Sequence, residues 1–301
     1  MNRFDIDDDL VRTLVREQHA DLAGLDLRPV DGGWDNQMWR LGEELAVRMP
    51  RTEQAPALLR NEHRWMPELG PRLPLPVPLP VRVGEPSARF PRPWTITTWV
   101  PGEPADRTPV TRGGPAADSL AEFLRLLHRE APAEAPVKPH RGVPLAALTS
   151  HFESSADAVG GLDGELRAVW DEAVAAPEWQ GPPVWLHSDL HPANVVVADG
   201  TLAGVVDFGD LCAGDPATDL AAAWLLLPAG ADLRLLHGYA HADEAMIRRA
   251  RGWAVLRGMN LLAIGRAGDR GLPGGKVTWG PAGRATLDRV RASWRRAGLP
   301  R

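Results

Sequence analysis

The chain has 301 residues, of which 44% are hydrophobic and 24% charged, a composition that is typical of a soluble globular protein with room for two lobes and a large core. Its net charge is −5 at pH 7, but the C-terminal region is basic, which could suggest nucleic-acid binding. The arginines of that region are scattered along an amphipathic helical pattern, which argues against it. The single cysteine, Cys212, excludes an internal disulfide and fits a cytoplasmic setting, while no apolar run is long enough for a membrane helix.

The first hundred residues predict short strands flanked by helices. The segment DIDDDLVRTLVREQHA has an acidic first turn and apolar residues at helical spacing, which predicts a helix. Three short strands are predicted at LDLRPV, NQMWRLG and ELAVRMP, separated by glycine-containing turns. A helix is predicted over 52–69, with Pro56 in its first turn. The proline-rich GPRLPLPVPLPVRVGEP predicts an extended connection, and RPWTITTWV a strand.

After Pro104 the pattern becomes mainly helical. Helices are predicted over 116–129, 144–159 and 165–176, and again from the end of the hairpin below to the end of the chain. Two apolar runs, 195–197 and 202–206, are separated by Asp199-Gly200-Thr201, and an Asp-Gly between β-branched runs predicts a β-hairpin. A small strand-rich part before a larger helical part predicts an α+β protein with two lobes and a cleft between them.

The hairpin would bring three polar side chains together. The loop that holds Asp189 and Asn194 enters the first strand, and Asp207 leaves the second, so all three are expected to converge at one end of the hairpin. A few oxygen ligands with positions left open for phosphate are what a magnesium site requires. The alternative is that these are ordinary turn-forming Asp and Asn residues. The hairpin itself, however, needs only Asp199 and Gly200.

The spacing His187-x-Asp189-x4-Asn194, followed by Asp207-Phe208-Gly209, resembles the catalytic loop and metal-binding motif of the protein-kinase-like superfamily. Within it, LHSDLHPANVVV and GVVDFGDLCAGDPATDLA resemble the aminoglycoside phosphotransferase family. The resemblance implies a nucleotide-binding lobe over 1–98, a hinge over 99–104, and a catalytic and substrate-binding lobe over 105–301. It also implies Asp189 as the catalytic base, and Asn194 and Asp207 as ligands of Mg²⁺ on ATP or GTP.

In the N-terminal lobe the resemblance implies a flap over the triphosphate, with Gly33, Trp34 and Asn36 at its tip. Gly32-Gly33 could equally be an ordinary hairpin turn. Protein kinases have a lysine on the third strand, whereas this chain has Arg48 and no lysine before Lys138. Arginine can contact phosphate at two points, so the replacement is chemically viable.

Glu62, on the following helix, is the expected partner of Arg48, and a pair of exposed surface charges is the alternative. The segment that links the lobes would hold the purine edge through its backbone. Because backbone recognition leaves no side-chain pattern, ATP and GTP are not distinguished. The residues expected there are Thr97, Thr98, Trp99 and Val100.

Two further residues are expected to support the loop. His187 is expected to hold it through backbone hydrogen bonds rather than act as a base. Asp219 has two readings: it could cap the helix that begins near it, or it could reach back to the loop backbone. Both readings make Asp219 structural.

The acceptor is harder to predict. Residues 231–301 contain fourteen Lys or Arg and five Asp or Glu, a net +9, which leaves −14 for residues 1–230. A polycationic aminoglycoside needs an acidic pocket, so this basic tail weakens that assignment. A macrolide would suit an apolar pocket, although the residues considered for it are of types that usually lie in cores. They are Trp224, Trp253, Met259 and Trp279.

These patterns together predict a kinase that transfers the γ-phosphate of ATP or GTP to a hydroxyl of an antibiotic, with an aminoglycoside favoured by the resemblance. A macrolide or another antibiotic or metabolite is the alternative acceptor. A nucleotide-binding regulator without activity is a further alternative, against which the intact loop argues. Only eleven residues separate Asp207 from Asp219, too few for the activation segment of a protein kinase. We expect a cytoplasmic monomer without nucleic-acid or membrane partners.

Overall fold

The computed structural model describes residues 6–31 and 33–298; Gly32, part of the predicted flap turn, lies outside the described residues. Contacts divide the chain into two compact units. The first comprises Met1–Pro101 and Val205–Asp210, and the second comprises Gly102–Gly204 and Leu211–Arg301. The functional division into a lobe over 1–98, a hinge over 99–104 and a lobe over 105–301 stays a prediction.

The first unit is built on one five-stranded antiparallel sheet. Its strands are β1 (Leu27–Val30), β2 (Asn36–Leu41), β3 (Leu45–Pro50), β4 (Pro80–Gly84) and β5 (Trp94–Thr98). Their order across the sheet is β1-β2-β3-β5-β4, so β3 lies at its centre. Four of these strands lie where the alternating pattern predicts them. The fifth, β4, lies in the segment expected to be only an extended connection. Its proline is tolerated because β4 is an edge strand and Pro80 is its first residue.

Two helices accompany this sheet, α1 (Asp8–Gln18) and α2 (Ala55–Leu69), both close to their predicted bounds. The carboxylate of Asp7 accepts a hydrogen bond from the amide of Leu10 at 2.8 Å, which caps the start of α1. Helical spacing turns Val11, Leu14 and Val15 inward, and they join the core on the sheet. Each such buried aliphatic side chain contributes about 1.5–3 kcal/mol.

The second unit is mostly helical. Its helices are α3 (Gly113–Leu127), α4 (Thr149–Ala158), α5 (Gly164–Ala175), α6 (Ala217–Leu220), α7 (Ala222–Leu225), α8 (Ala231–Tyr239), α9 (Glu244–Asp269) and α10 (Trp279–Gly298). The helix predicted over 144–159 is found as a 3₁₀ turn, Leu145–Leu148, followed by α4. Of the helices in the described part of the chain, none is both long and apolar enough to cross a bilayer.

Short strands after residue 102 position the loops of interest. They are β6 (Glu103–Pro104), β7 (Val184–Leu186), β8 (Val195–Ala198), β9 (Thr201–Val205) and β10 (Cys212–Gly214). The predicted hairpin is present as β8 and β9. Asp199 and Gly200 both have positive φ, 50° and 75°, as a type I′ turn requires. The pairing of β10 with β7 was not predicted, since three residues give no periodic pattern.

The long helix α9 packs closely on α10 through glycines. A Cβ on Gly265 would lie 2.1 Å from the backbone nitrogen of Gly280, so only glycine allows this approach. The buried face of α9 also contributes Trp253 and Met259 to the core. The observed sheet and helices confirm the predicted α+β class, with a small antiparallel sheet first and a mostly helical part after it.

Candidate active site

The central strand of the first unit carries Arg48. Its guanidinium is buried and donates from Nη1 to Oε2 of Glu62 on α2, with only 7% and 4% of the two side chains exposed. The predicted ion pair is therefore present, and the alternative of two exposed surface charges is wrong. Both side chains are held by regular structure, β3 and α2, so their separation is fixed by the packing of that helix on the sheet. The expected contact of Arg48 with phosphate stays a prediction.

A second carboxylate lies near this pair. Asp207 Oδ1 is 3.7 Å from Arg48 Nη2, and half of the Asp207 side chain is exposed. Burial lowers the pKa of Arg48, but the carboxylates of Glu62 and Asp207 more than offset it and raise that pKa. Burial raises the pKa of Glu62, an effect that the Arg48 guanidinium opposes. We name these three residues, Arg48, Glu62 and Asp207, the Arg48 cluster.

The segment that carries Asp207 is fixed to α2. Asn61 on that helix donates from Nδ2 to the carbonyl of Gly209 at 3.0 Å. A Cβ on Gly209 would lie 2.9 Å from Cβ of Leu58, so the segment passes very close to the helix. Asp207 itself has a φ of 65°, which a residue other than glycine adopts only when its surroundings enforce it. The strained backbone turns a half-exposed carboxylate toward the solvent beside Arg48.

The residues predicted for the flap tip lie between β1 and the start of β2. Gly33 has a φ of 69°, and a Cβ there would lie 2.2 Å from the carbonyl oxygen of Asn36. Arg51 fastens the turn, since Nε donates to the carbonyl of Trp34 at 2.9 Å and Nη2 to that of Gly33 at 2.5 Å. The Trp34 side chain is exposed, whereas the Oδ1 atom of Asn36 is buried without a hydrogen-bond partner. An unpartnered buried oxygen beside a constrained glycine turn is compatible with a ligand contact.

The predicted purine-binding segment begins at the end of β5. Thr97 lies within the strand, paired with Ala46 of β3. The amide of Thr98 donates to the carbonyl of Leu79 at 2.9 Å, and that of Trp99 to the carbonyl of Glu44 at 2.7 Å. These two amides are therefore already used inside the first unit. Purine binding by the backbone of this segment stays a prediction.

In the second unit, Asp219 holds the backbone of the loop that follows β7, residues 187–194. Its carboxylate accepts hydrogen bonds from the amides of His187 and Ser188, both at 2.7 Å. Of the two readings of Asp219, the structure therefore favours the one in which it reaches back to the loop. His187 is fully buried, and its Nδ1 accepts the amide of Asp189 at 3.3 Å. Ser188 has a φ of 66°, so this loop is also strained.

Asp189 follows Ser188 and is only partly buried. Oδ1 accepts hydrogen bonds from Arg141 Nη1 at 2.6 Å and from Arg257 Nη1 at 2.7 Å. Burial works to raise the pKa of Asp189, but Arg141, His191 and Arg257 more than offset burial and hold that pKa well below its usual range. Asp189 is therefore a carboxylate at any neutral or mildly acidic pH.

Asn194 lies at the other end of the loop and is nearly buried. Its Nδ2 donates to the carbonyl of Asp189 at 3.0 Å, which leaves Oδ1 as the ligand-type atom of the amide. Within the described residues, no group of three or more His, Cys, Asp or Glu side chains could hold a metal ion. The amide oxygen of Asn194 and the half-exposed carboxylate of Asp207 nevertheless suit Mg²⁺, which takes few protein ligands and completes its shell with phosphate and water. Their convergence stays a prediction, because Asp207 belongs to the first unit and Asn194 to the second.

His191 and Trp279 form the rim of this loop. His191 Nδ1 accepts the amide of Ala193 at 3.2 Å, Nε2 lies 3.5 Å from Asp189 Oδ2, and the ring centroid is 4.7 Å from that of Trp279. The alternative of an apolar pocket, which a macrolide would need, finds little support, and the interpretation of these residues as core is mostly confirmed. Of the four residues considered for it, only Trp279 is partly exposed, while three are buried in the core: Trp224, Trp253 and Met259.

The sequence did not identify Arg141 or Arg257. Arg141 lies between the helices predicted over 116–129 and 144–159, and Arg257 lies in the C-terminal region, whose arginines are scattered along an amphipathic helical pattern. No local pattern marks either one, because their meeting at Asp189 depends on packing. The net charge of +9 in residues 231–301 also makes the surface of this unit less positive than the count suggests. Many of its arginines pair with acids of the second unit, among them Arg249 with Asp215 at 2.7 Å.

The profile of a known family matches most of the chain. It is described as the phosphotransferase enzyme family and matches residues 26–258. A homoserine kinase from Acidiphilium cryptum (strain JF-5) is 36% identical over 164 residues, which are 51% of this chain and 50% of that protein. An aminoglycoside 3'-phosphotransferase from Escherichia coli is 29% identical over 140 residues, 44% of this chain and 51% of that protein. The chain spans about half the length of the curated relatives it matches.

A solved structure matches over nearly the whole chain. The GDP complex of wild-type aminoglycoside 2'-phosphotransferase-IIIa superposes with a TM-score of 0.69, at 20% identity, over 96% of this chain and 99% of that one. At this level of identity the likeness concerns the fold. The predicted protein-kinase-like fold, with a small antiparallel sheet before a larger helical part, is confirmed.

Proposed function

This chain belongs to the phosphotransferase enzyme family, and on that premise we propose that it transfers the γ-phosphoryl group of a nucleoside triphosphate to a hydroxyl group of a small molecule. The observation that carries the proposal is the 187–194 loop. Asp219 accepts hydrogen bonds from the two amides that precede Asp189, and the side chain of Asn194 donates one to the carbonyl of Asp189 itself. The Asp189 carboxylate is therefore presented on a rigid, strained backbone. A turn that served only to enter a hairpin would not need this support.

Asp189 is the group proposed to meet the acceptor. Its carboxylate accepts a hydrogen bond from the hydroxyl and aims the oxygen at the γ-phosphorus. A bond forms from that oxygen to phosphorus, the bond from phosphorus to the β,γ-bridging oxygen breaks, and the nucleoside diphosphate leaves with the bond's electrons. The hydroxyl proton passes to Asp189 and then to solvent. Because its pKa is held low, Asp189 is a weak base, and its main contribution is orientation.

The Arg48 cluster is proposed to face the phosphates of the nucleotide. Arg48 supplies a permanent positive charge that Glu62 keeps in one rotamer. The carboxylate of Asp207 and the amide oxygen of Asn194 are the residues that would hold Mg²⁺, which when bound neutralises phosphate charge. Gly33, Trp34 and Asn36 would cover the phosphates, and the backbone from Thr97 to Val100 would take the purine. The structural relative in complex with GDP supports a nucleotide donor, ATP or GTP.

Two acceptor classes have support. An aminoglycoside is favoured by the motifs and by the relative from Escherichia coli, and an amino acid by the more similar homoserine kinase. Of the apolar residues considered for a macrolide pocket, only Trp279 is partly exposed, since the other three are buried in the core. The second acceptor class, an amino acid, is supported by the 36% identity to the homoserine kinase, against 29% to the aminoglycoside phosphotransferase. A regulator without activity would not need the support given to Asp189.

The test is a screen for a phosphorylated product. Purified protein is incubated with Mg²⁺ and either ATP or GTP, together with each of kanamycin, erythromycin, L-homoserine and glucose. Nucleoside diphosphate release and the mass of the acceptor are both followed. We expect one of the acceptors, or a molecule of the same class, to gain a phosphoryl group. Nucleotide binding without transfer to any acceptor of these classes would favour the inactive regulator, and no nucleotide binding would refute the proposal.

A further inference from the structure

A small cavity of the second unit is lined by residues of α7, α8 and α10. Its volume is about 10 Å³, which is room for one occupant of the size of a water molecule. Two of the residues that line it, Ala229 and Gly230, are exposed, so a small solute can reach it from solution. The aromatic and charged residues that line it are Trp224 on α7, Asp232 on α8, and Arg289 and Arg296 on α10.

Two buried N–H groups of these residues make no hydrogen bond within the described part of the chain. They are Nε1 of Trp224, a fully buried residue, and Nε of Arg289. The Nη2 atom of Arg289 donates to the carbonyl of Leu225 at 3.2 Å, but its Nε–H has no acceptor. An indole and a guanidinium can only donate, so both groups need an acceptor. Because nearly all buried donors in proteins are paired with protein, water or an ion, the cavity that both residues line is where we expect that acceptor.

The charges at the cavity favour an anion over a water molecule. Asp232 is the one acid that lines it, and its Oδ2 already accepts a hydrogen bond from Arg296 Nη2 at 2.6 Å. Burial lowers the pKa of Arg289 to about 10. The carboxylate that opposes this effect, Asp288, lies in an ion pair with Arg291 at 2.7 Å. The lining residues therefore have two guanidinium groups and one carboxylate.

A third guanidinium lies next to the indole of Trp224. Arg251, on α9, is 5.9 Å from the centroid of that ring, and burial lowers its pKa. Besides Asp232, the acids that act on Arg251 are Glu172 and Glu244. Each of these two accepts a hydrogen bond from another side chain, at 2.9 and 2.5 Å. The surroundings of the two unpaired N–H groups are therefore positive overall, which attracts an anion.

The first turn of α8 adds to this positive field. Gly230, its N-cap residue, has a φ of 87° and offers no side chain to the first amides of the nine-residue helix. The partial positive charge at the start of a helix stabilises a nearby anion. This helix terminus would not make a site by itself, but it lies at the same cavity as the two unpaired donors.

We propose that this cavity binds a monovalent inorganic anion of the size of chloride, which accepts hydrogen bonds from Trp224 and Arg289. The inference goes beyond phosphoryl transfer and does not depend on it. A chloride ion is little larger than a water molecule and accepts from several donors at once, whereas a water molecule would leave the positive charge uncompensated. The bound ion would join α7, α8 and α10. Because α7 follows α6, which carries Asp219, the ion would stabilise the part of the unit from which Asp219 reaches the 187–194 loop.

The first test is thermal unfolding at constant ionic strength, with chloride replacing gluconate, an anion too large for the cavity. We expect Tm to rise with chloride and then to level off. A site that is half filled at about 20 mM should raise Tm by at least about 3 °C between about 1 and 500 mM chloride. Bromide should have the same effect. A Tm that does not respond to chloride, or that rises without levelling off, would overturn the inference.

Variants separate binding from a general effect of salt. Arg289→Gln and Trp224→Phe each remove one of the unpaired N–H groups, and both should abolish the saturable response to chloride. Trp253→Phe is the matched control for the indole, because Trp253 is also buried with an unpaired Nε1 but does not line the cavity. Arg234→Gln, at an exposed arginine paired with Asp118, is the control for the guanidinium. Both controls should keep the response, and a response that persists in Arg289→Gln and Trp224→Phe would overturn the inference.

Anomalous diffraction from crystals grown in sodium bromide needs no variant, so it also serves if the substituted proteins fold poorly. We expect a bromide peak within hydrogen-bond distance of Arg289 Nε and Trp224 Nε1. A water molecule in the cavity, without anomalous signal, would overturn the inference. Neither this result nor the Tm measurement depends on whether the protein transfers a phosphoryl group, so failure of the proposed function would leave the inference untouched.

Discussion

Replacing either member of the Arg48–Glu62 pair should disturb both stability and nucleotide binding. Because both side chains are more than nine-tenths buried, removing one leaves the other as a charge without its partner. Such truncations cost about 3–5 kcal/mol of unfolding free energy. Glu62→Gln keeps an acceptor oxygen and the volume of the side chain, so its cost should be smaller, about 1.5–3 kcal/mol, the value of one hydrogen bond to a charged group.

The effect on the nucleotide follows from the same contact. If Arg48 binds phosphate, Arg48→Ala should weaken nucleotide binding by about 1.5–3 kcal/mol, or roughly 10- to 150-fold. Arg48→Lys should retain part of the affinity, because a lysine keeps the charge but cannot make a planar two-point contact. Glu62→Gln should act in the same direction, since Glu62 holds the guanidinium in place.

The assay is a double-mutant cycle on nucleotide affinity by calorimetry, with urea unfolding of each variant in parallel. The matched control is the exposed pair Arg72 and Glu68 of the same unit, at 3.5 Å, whose removal should cost about 0–1 kcal/mol and leave nucleotide binding unchanged. Effects of the Arg48 and Glu62 substitutions that add within about 0.3–0.5 kcal/mol would mean that the two do not act as a pair. Wild-type affinity in Arg48→Ala would refute the assignment of this cluster to the phosphates.

Three further outcomes are expected. Asp207→Ala should lose the Mg²⁺-dependent part of nucleotide binding, and Asn194→Ala should lose some of it. For Asp207→Ala we therefore expect the same nucleotide affinity with Mg²⁺ and with EDTA. An increase in affinity with Mg²⁺ as large as in the wild type would contradict this. Asp219→Asn replaces a charged acceptor of two loop amides by a neutral one, and should lower kcat about tenfold or more with little change in nucleotide KM, whereas an unchanged kcat would contradict the role of Asp219 in the loop. Burial and Arg48 lower the pKa of His63, so folding is opposed by protonation as the pH falls below the unfolded pKa of about 6.5. His63→Gln should therefore flatten the fall in unfolding free energy between about pH 7 and pH 5, and an unchanged slope would mean that His63 does not titrate in this way.

Most of the fold could be predicted because the relevant signals are local. Alternating apolar residues mark β2, β3 and β5, an acidic first turn marks α1, and Asp199-Gly200 marks the hairpin. Strand β4 was not predicted because the prolines of the surrounding segment suggest an extended connection, whereas Pro80 is tolerated as the first residue of an edge strand. Strand β10 has three residues, which is too short for any periodicity.

In the candidate site, too, the residues that the sequence predicts are those marked by a local pattern. Asp189, Asn194 and Asp207 could be proposed from the sequence because their spacing in the chain is itself the motif. Glu62 was identified because it follows Arg48 on the next element. Arg141 and Arg257 could not be proposed, since their contact with Asp189 depends on where α9 and a loop without regular structure meet.

Burial explains the other differences between prediction and structure. The tryptophans considered for a pocket carry no sign in the sequence that separates core from surface, and Trp224 and Trp253 lie in the core. The net charge of residues 231–301 was counted without their partners, whereas the structure pairs three of those arginines with acids that come before residue 231. They are Arg249, Arg291 and Arg295.

The measurement that tests the account most directly is phosphoryl transfer by Asp189→Ala, made beside nucleotide affinity on the same preparation. The account places Asp189 on the acceptor side, held by a loop that does not depend on its side chain. We therefore expect transfer to an acceptor phosphorylated by the wild type to fall by more than about a hundredfold, while calorimetry with Mg·ATP or Mg·GTP gives a nearly unchanged affinity. Turnover within about tenfold of wild type would contradict the role of Asp189, and a loss of nucleotide affinity that matched the loss of turnover would move Asp189 to the phosphate side.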